Sequence, residues 1–267
     1  MKKLLIIAVI VSYGVVSTYA QGELIEEQKV FFRNEKSFAV LLNTDGIGVS
    51  YRGAKRIDFL NKRLFEIEAA TLKHPKEYKL SNPYYQGGSF VFGKLNSTFY
   101  LRAGIGHQHE LFKKADLGGV AIRYFYSGGP VLALYKPIYY KVLYFVSVNE
   151  PPIIKEEKFN ASSIALPQDI YSRASITKGL DETKVLPGAY AKTGFNFEYS
   201  KQDKIIHAIE VGAQINVFPK KLPIMASTDN KAIFFSLFVS YRFGVIINPL
   251  DRDSNKLSNI LRRRREN

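Results

Sequence analysis

Two histidines spaced two residues apart, His107 and His109 in Leu101-Arg102-Ala103-Gly104-Ile105-Gly106-His107-Gln108-His109, form the one local group in this 267-residue chain that invites chemistry. Imidazoles act as general bases or as metal ligands, and a zinc centre would need a third ligand from another strand. His74 and His207 make no pair with them by sequence. The chain has no cysteine, which removes disulfides, thiolate metal centres, a cysteine nucleophile and a lipid-modified N-terminal cysteine. No phosphate-binding glycine loop or nucleotide fingerprint stands in a strand–helix context. No cofactor and no metal is expected, and contact with lipid phosphate head groups is the preferred reading of the two histidines over catalysis.

What these side chains face depends on the elements that carry them, and the body of the chain alternates with period two. In 232–245 the odd positions are Ile233, Phe235, Leu237, Val239, Tyr241, Phe243 and Val245, while the even ones include Ser236, Ser240, Arg242 and Gly244. Residues 205–217 and 189–199 repeat the pattern. These runs are longer than the strands of soluble domains and match the roughly 9–11 residues that a membrane-crossing strand needs. The chain is 13% aromatic, and tyrosine and phenylalanine gather near strand ends, as in the girdles of membrane barrels. The spacing predicts an all-β, closed antiparallel transmembrane barrel of eight strands over 37–51, 61–73, 97–112, 118–126, 131–145, 188–200, 204–218 and 231–246. Ten strands is the alternative, because 74–96 could hide two short ones, and Asp45-Gly46 is a bulge or a turn in the first. Even parity puts both chain ends in the periplasm, Ser127-Gly128-Gly129-Pro130 and 200–203 in periplasmic turns, and 147–187 outside.

In this register Glu66, Glu68, Arg102, Glu110, Arg123, Lys192, Glu198, Glu210 and Arg242 point inward. An eight-stranded barrel is just wide enough for side chains to fill, so the expectation is a paired polar plug and not a conduit. His107 and His109 share a face with Leu101, Ala103 and Ile105 and are expected on the lipid side near the external rim, since the third strand would run outward.

The termini complete the plan. Lys2 and Lys3, an apolar run from Leu4 to Val16 and Thr18-Tyr19-Ala20 read as a secretory signal over 1–20, whose removal lowers the formal charge from +14 to +12. Residues 21–36 would be a periplasmic N-terminal segment, 37–246 the barrel and 247–267 a basic periplasmic tail. In that tail Leu257, Ile260 and Leu261 have helical spacing, and Arg262, Arg263, Arg264 and Arg265 offer a partner-binding site. Nucleic acid is not expected as a partner of a secreted chain.

The signal ending at Ala20-Gln21, the Arg123-Tyr124-Phe125-Tyr126 strand with Gly128-Gly129, the Lys136-Pro137-Ile138-Tyr139 segment and the closing Phe238-Val239-Ser240-Tyr241-Arg242-Phe243 run carry a resemblance. The chain resembles the small outer-membrane β-barrel proteins of the Bacteroidota, which implies an outer-membrane location and leaves the activity open. The histidine pair is similar to that of the outer-membrane lipid A deacylases, which use a strand His-x-Ser pair with a nearby acid. Here the second position is His109, not Ser, and no acid of fitting register is present. The leading expectation is a non-enzymatic structural or accessory subunit of an envelope complex. Its partners would be outer-membrane lipid, lipopolysaccharide and a protein. A lipid-modifying enzyme and a narrow channel are the alternatives.

Overall fold

Alternating side chains let one face of a strand meet lipid while the other meets the lumen, provided that every strand edge is paired. The computed structural model describes residues 34–247 apart from 117, 146–150, 163, 202–203 and 228. The signal segment, residues 21–33 and the tail with Arg262 to Arg265 lie outside the described residues.

In chain order the strands are β1 (Asn34–Asn43), β2 (Gly46–Arg56), β3 (Asn61–Leu72), β4 (Lys79–Leu80), β5 (Phe90–Val91) and β6 (Asn96–Phe112). They continue with β7 (Ala121–Pro137), β8 (Tyr139–Tyr144), β9 (Ile153–Lys158), β10 (Ile170–Arg173), β11 (Lys184–Glu198), β12 (Ile205–Val217) and β13 (Ile233–Ile247). Eight of them close into an antiparallel barrel in the order β1-β13-β12-β11-β7-β6-β3-β2. β1 pairs with β13 from Asn34↔Ile247 to Asn43↔Phe238 and with β2 from Glu35↔Ala54 to Asn43↔Gly46, so no edge is left open. The shortest barrel strand has 10 residues, enough to cross a bilayer core when tilted.

Two expected boundaries fall differently, in opposite directions, and the count of eight survives because they cancel. The expected strand 37–51 is two strands, folded back at Thr44-Asp45. The expected strands 118–126 and 131–145 are one continuous strand, β7, followed by β8 outside the barrel. Ser127-Gly128-Gly129-Pro130 is therefore mid-strand and not a periplasmic turn. Its glycines make room: a Cβ on Gly129 would lie 2.4 Å from the Ala103 carbonyl oxygen. One on the facing Gly104 would lie 2.3 Å from the Tyr190 hydroxyl. Pro130 sits at an outward position opposite Ala103-Gly104, a stretch of β6 without ladder pairing to β7, which suits a residue with no N–H to donate.

All the long connections lie at one end, which also holds the tight turn at 44–45. Residues 57–60, 113–120 and 199–204 lie at the end where β1 begins and β13 finishes; 44–45, 73–95, 138–183 and 218–232 lie at the other. The 74–96 excursion thus belongs to the long-loop end, opposite to expectation. It contains the two short strands β4 and β5, which pair with each other outside the barrel.

The long loops build a cap. β10, β8 and β9 form a three-stranded sheet, and Phe90, Ile138, Tyr140, Val142, Phe159 and Ile170 pack as its own apolar core. Tyr140 donates its hydroxyl hydrogen toward the Val91 and Lys94 carbonyls at 2.8 and 2.7 Å, and Asn82 donates to Gln168 and Ile170 carbonyls at 2.8 Å. The 218–232 connection drops Phe218, Leu222, Ile224 and Met225 onto Tyr100, Tyr190 and Phe234, closing the lumen at that end. Gly93, at φ 74°, permits the bend that brings Lys94 against Met225.

Candidate functional site

Inward positions of the barrel are charged and outward ones apolar, the reverse of a soluble β protein. Ile105 is 70% exposed and Phe235 66%, whereas Arg102 is 1% exposed and Glu210 fully buried. Phe38, Leu42, Phe65 and Val239 continue the outer belt. An apolar surface that encircles a closed, even-stranded antiparallel barrel with short turns at one end is a lipid-facing wall. The chain is an integral outer-membrane β-barrel. In outer-membrane barrels with an even number of strands both termini face the periplasm, an orientation that would place the capped end outside.

Inside, the charges form two clusters. In the central one Arg52 reaches Glu210 at 2.5 Å and Glu66 at 3.1 Å, and Arg242 reaches the same two at 3.0 and 3.2 Å. Lys192 bridges Glu66 and Glu68 at 3.4 and 2.8 Å, and Arg102 meets Glu68 at 2.5 Å. Neutral groups complete it: Arg102 donates to the Tyr100 hydroxyl and to Gln214, and Asn196 donates to Glu210. Arg102 also lies over the Tyr190 ring, 4.8 Å from its centroid.

The second cluster lines the periplasmic mouth. Arg123 gathers Glu35, Glu110 and Glu198, while Lys62 pairs with Glu35, Arg56 with Glu110 and Lys114 with Glu198. Leu64 and Phe125, from the apolar group that also holds Leu41, Ala54 and Phe238, stand between the two clusters. Among the described residues each cluster sets four cations against three carboxylates.

All nine inward residues named from parity take part in these ion pairs, divided between the two clusters. Five further members were not in that set: Glu35, Arg52, Arg56, Lys62 and Lys114. Arg52 and Arg56 were hidden by the unread turn at Thr44-Asp45. Lys62 shares the parity of Glu66 and Glu68, which was signal enough. Lys114 follows β6 and folds back to Glu198, and nothing local announces that.

The histidines require a correction. Residues 96–112 form the fourth barrel strand, not the third, so they run inward and place His107 and His109 at the periplasmic end. There His107 Nε2 and His109 Nδ1 lie 2.9 and 2.8 Å from the same atom, Asn61 Oδ1. An amide oxygen only accepts, so both imidazoles donate to it. The Asn61 amide in turn donates to Asp58 at 2.8 and 3.0 Å. That bond, with the backbone N–H groups of Leu60 and Asn61, holds the Asp58 carboxyl below its usual range. The pair therefore ties the 57–60 turn to β6, away from the outer leaflet where a deacylase would work. His207 is also at this end, between Tyr199 and Tyr241, with its Nδ1 2.8 Å from the Tyr241 hydroxyl. His74 lies buried in the 73–95 connection.

No family model and no curated protein matches this chain. Among solved structures it is similar to Ail, the attachment invasion locus protein of Yersinia pestis, at 7% identity over 81% of this chain and 99% of that one, with a TM-score of 0.38. Neisserial surface protein A matches at 9% identity over 81% of this chain and 96% of its own, TM-score 0.32. The N-terminal barrel domain of Pseudomonas aeruginosa OprF matches at 6% identity over 80% and 97%, TM-score 0.34. The barrel assignment rests on the closed strand register and the lipid-facing belt, independently of these likenesses.

Proposed function

We propose that this chain is a non-enzymatic scaffold of the outer membrane, a structural or accessory subunit of an envelope complex in the manner of small Bacteroidota barrels. The observation that carries the reading is the division of labour along the barrel axis. The lumen is packed with paired charges and closed by the 218–232 connection, while the long loops are folded into a cap with its own core. Structure is spent on the external face and none on a passage. β9, an outer strand of the cap sheet, leaves Ile153 and Ile154 about half exposed and offers an unpaired edge for a partner strand.

Co-purification from native envelopes tests this. Replacing Ile153 and Ile154 by lysine is expected to release a partner that the wild-type chain retains on the capped side, and removal of residues 252–267 to release one held at the opposite end. Steady single-channel conductance of the wild-type protein in planar bilayers would overturn the scaffold reading.

A further inference from the structure

A cavity of about 330 Å³ lies where the external ends of β3 and β6 meet the cap. Four cationic side chains line it, Lys73, Lys79, Lys94 and Arg173, with a single carboxylate, Glu77. That carboxylate is already committed: one oxygen takes the Lys94 ammonium and the other the backbone N–H of His74 at 2.9 Å. Lys73, Lys79 and Arg173 make no ion pair among the described residues. Lys136, near Arg173, adds a further cation, its ammonium held by the Ile176 and Lys178 carbonyls. Three uncompensated cations around one concavity repel one another unless an anion joins them.

A second observation comes from the wall itself. Thr98 is 3% exposed and its hydroxyl oxygen, fully buried, has no hydrogen-bond partner. Buried hydroxyls are normally satisfied, so this one leaves hydrogen-bonding capacity unused in the cavity wall. The rest of the wall mixes hydroxyls, Thr71, Ser89 and Ser97, with the edge of the cap core at Phe90, Ile138 and Tyr140. The volume is at the small end of ligand pockets, and a guanidinium fork with two ammonium groups matches the several acceptor oxygens of a phosphate better than the two of a carboxylate.

We propose that this cavity binds a phosphate monoester. Two sources share that chemistry, a free sugar phosphate and the phosphorylated sugar headgroup of an outer-leaflet lipid. Phe99, which faces the barrel exterior and belongs to the same wall, sets the cavity at the level where the lipid belt gives way to the loops. The proposal stands whether or not the cap also holds a protein partner.

The test uses the full-length chain folded in zwitterionic micelles, titrated calorimetrically with glucose 1-phosphate and with glucose. Saturable binding of the phosphate and none of glucose is expected. Charge-assisted contacts of this kind set the scale, so Lys79→Glu and Arg173→Glu should each weaken binding about tenfold or more, and Thr98→Val about threefold. Lys55→Glu, at the periplasmic end, should leave it unchanged. Heat-modifiable gel mobility checks that each variant is folded, and Lys79, being exposed, keeps the test open if Arg173→Glu disturbs the cap. In a second arm, nanodiscs containing a bisphosphorylated lipid A are washed and protein-bound phosphorus is counted for wild type and Lys79→Glu. Binding in micelles assigns a soluble ligand, and retention lost in the variant assigns the lipid. Equal binding of glucose, charge reversals without effect, or no binding in either arm would overturn the site.

Discussion

Arg52 and Arg242 share the same two carboxylates, and this makes Glu210 the residue on which the central cluster turns. Glu210 also accepts from Asn196 and Ser240, so its removal orphans several buried donors at once. A buried ion pair adds little over a well-packed apolar pair, but stripping one partner strands the other charge at a cost of about 3–5 kcal/mol. Glu210→Gln is therefore expected to lower the unfolding free energy, read from urea titration, by that order. The double variant Glu210→Leu/Arg242→Leu should lose less than the sum of its single changes; a strictly additive cycle would refute coupling through this pair. At this scale much of the lumen was legible, because parity along a strand assigns a face without knowledge of the partner strand. Two members escape it: Glu35 falls in the expected N-terminal segment 21–36, whereas β1 already begins at Asn34, and Arg52 lies beyond the reversal at Thr44-Asp45. Parity carries no information across an unrecognised turn.

Among the elements, β7 shows why a composition signal misleads. Gly-Gly-Pro bounded by alternating runs is a turn signature by local rules, and those rules assume that glycine serves backbone freedom. In β7 the glycines serve proximity, Gly129 admitting the Ala103 backbone and Gly128 the Tyr190 backbone carbonyl. Nothing within β7 itself records that need, because it arises from β6 and β11 on either side. An epitope of a few residues inserted between Gly128 and Gly129 should abolish heat-modifiable folding, whereas the same insertion between Gly118 and Gly119 should be tolerated. Equal tolerance at both places would mean that Ser127 to Pro130 turns after all. The opposite error, two strands read as one, had its signal in Asp45-Gly46, a common hairpin dipeptide.

At the scale of the whole molecule, orientation follows from loop length, and the absence of native cysteine makes it directly measurable. A single Lys155→Cys in β9 should react with a membrane-impermeant maleimide on intact cells, and Lys55→Cys in β2 only after the envelope is opened. The reverse pattern would invert the barrel and with it the external position of the cap. The central cluster has one further consequence, for assembly. Its carboxylates and guanidiniums come from both ends of the chain: Arg52 and Glu66 from the first three strands, Glu210 and Arg242 from the last two. They can meet only when β13 reaches β1. A sheet inserted but still open along that seam, or closed one step out of register, leaves these charges facing lipid or the wrong partner. The network then acts less as a stabiliser of the finished wall than as a latch that recognises correct closure, penalising every barrel that shuts on the wrong pair of strands.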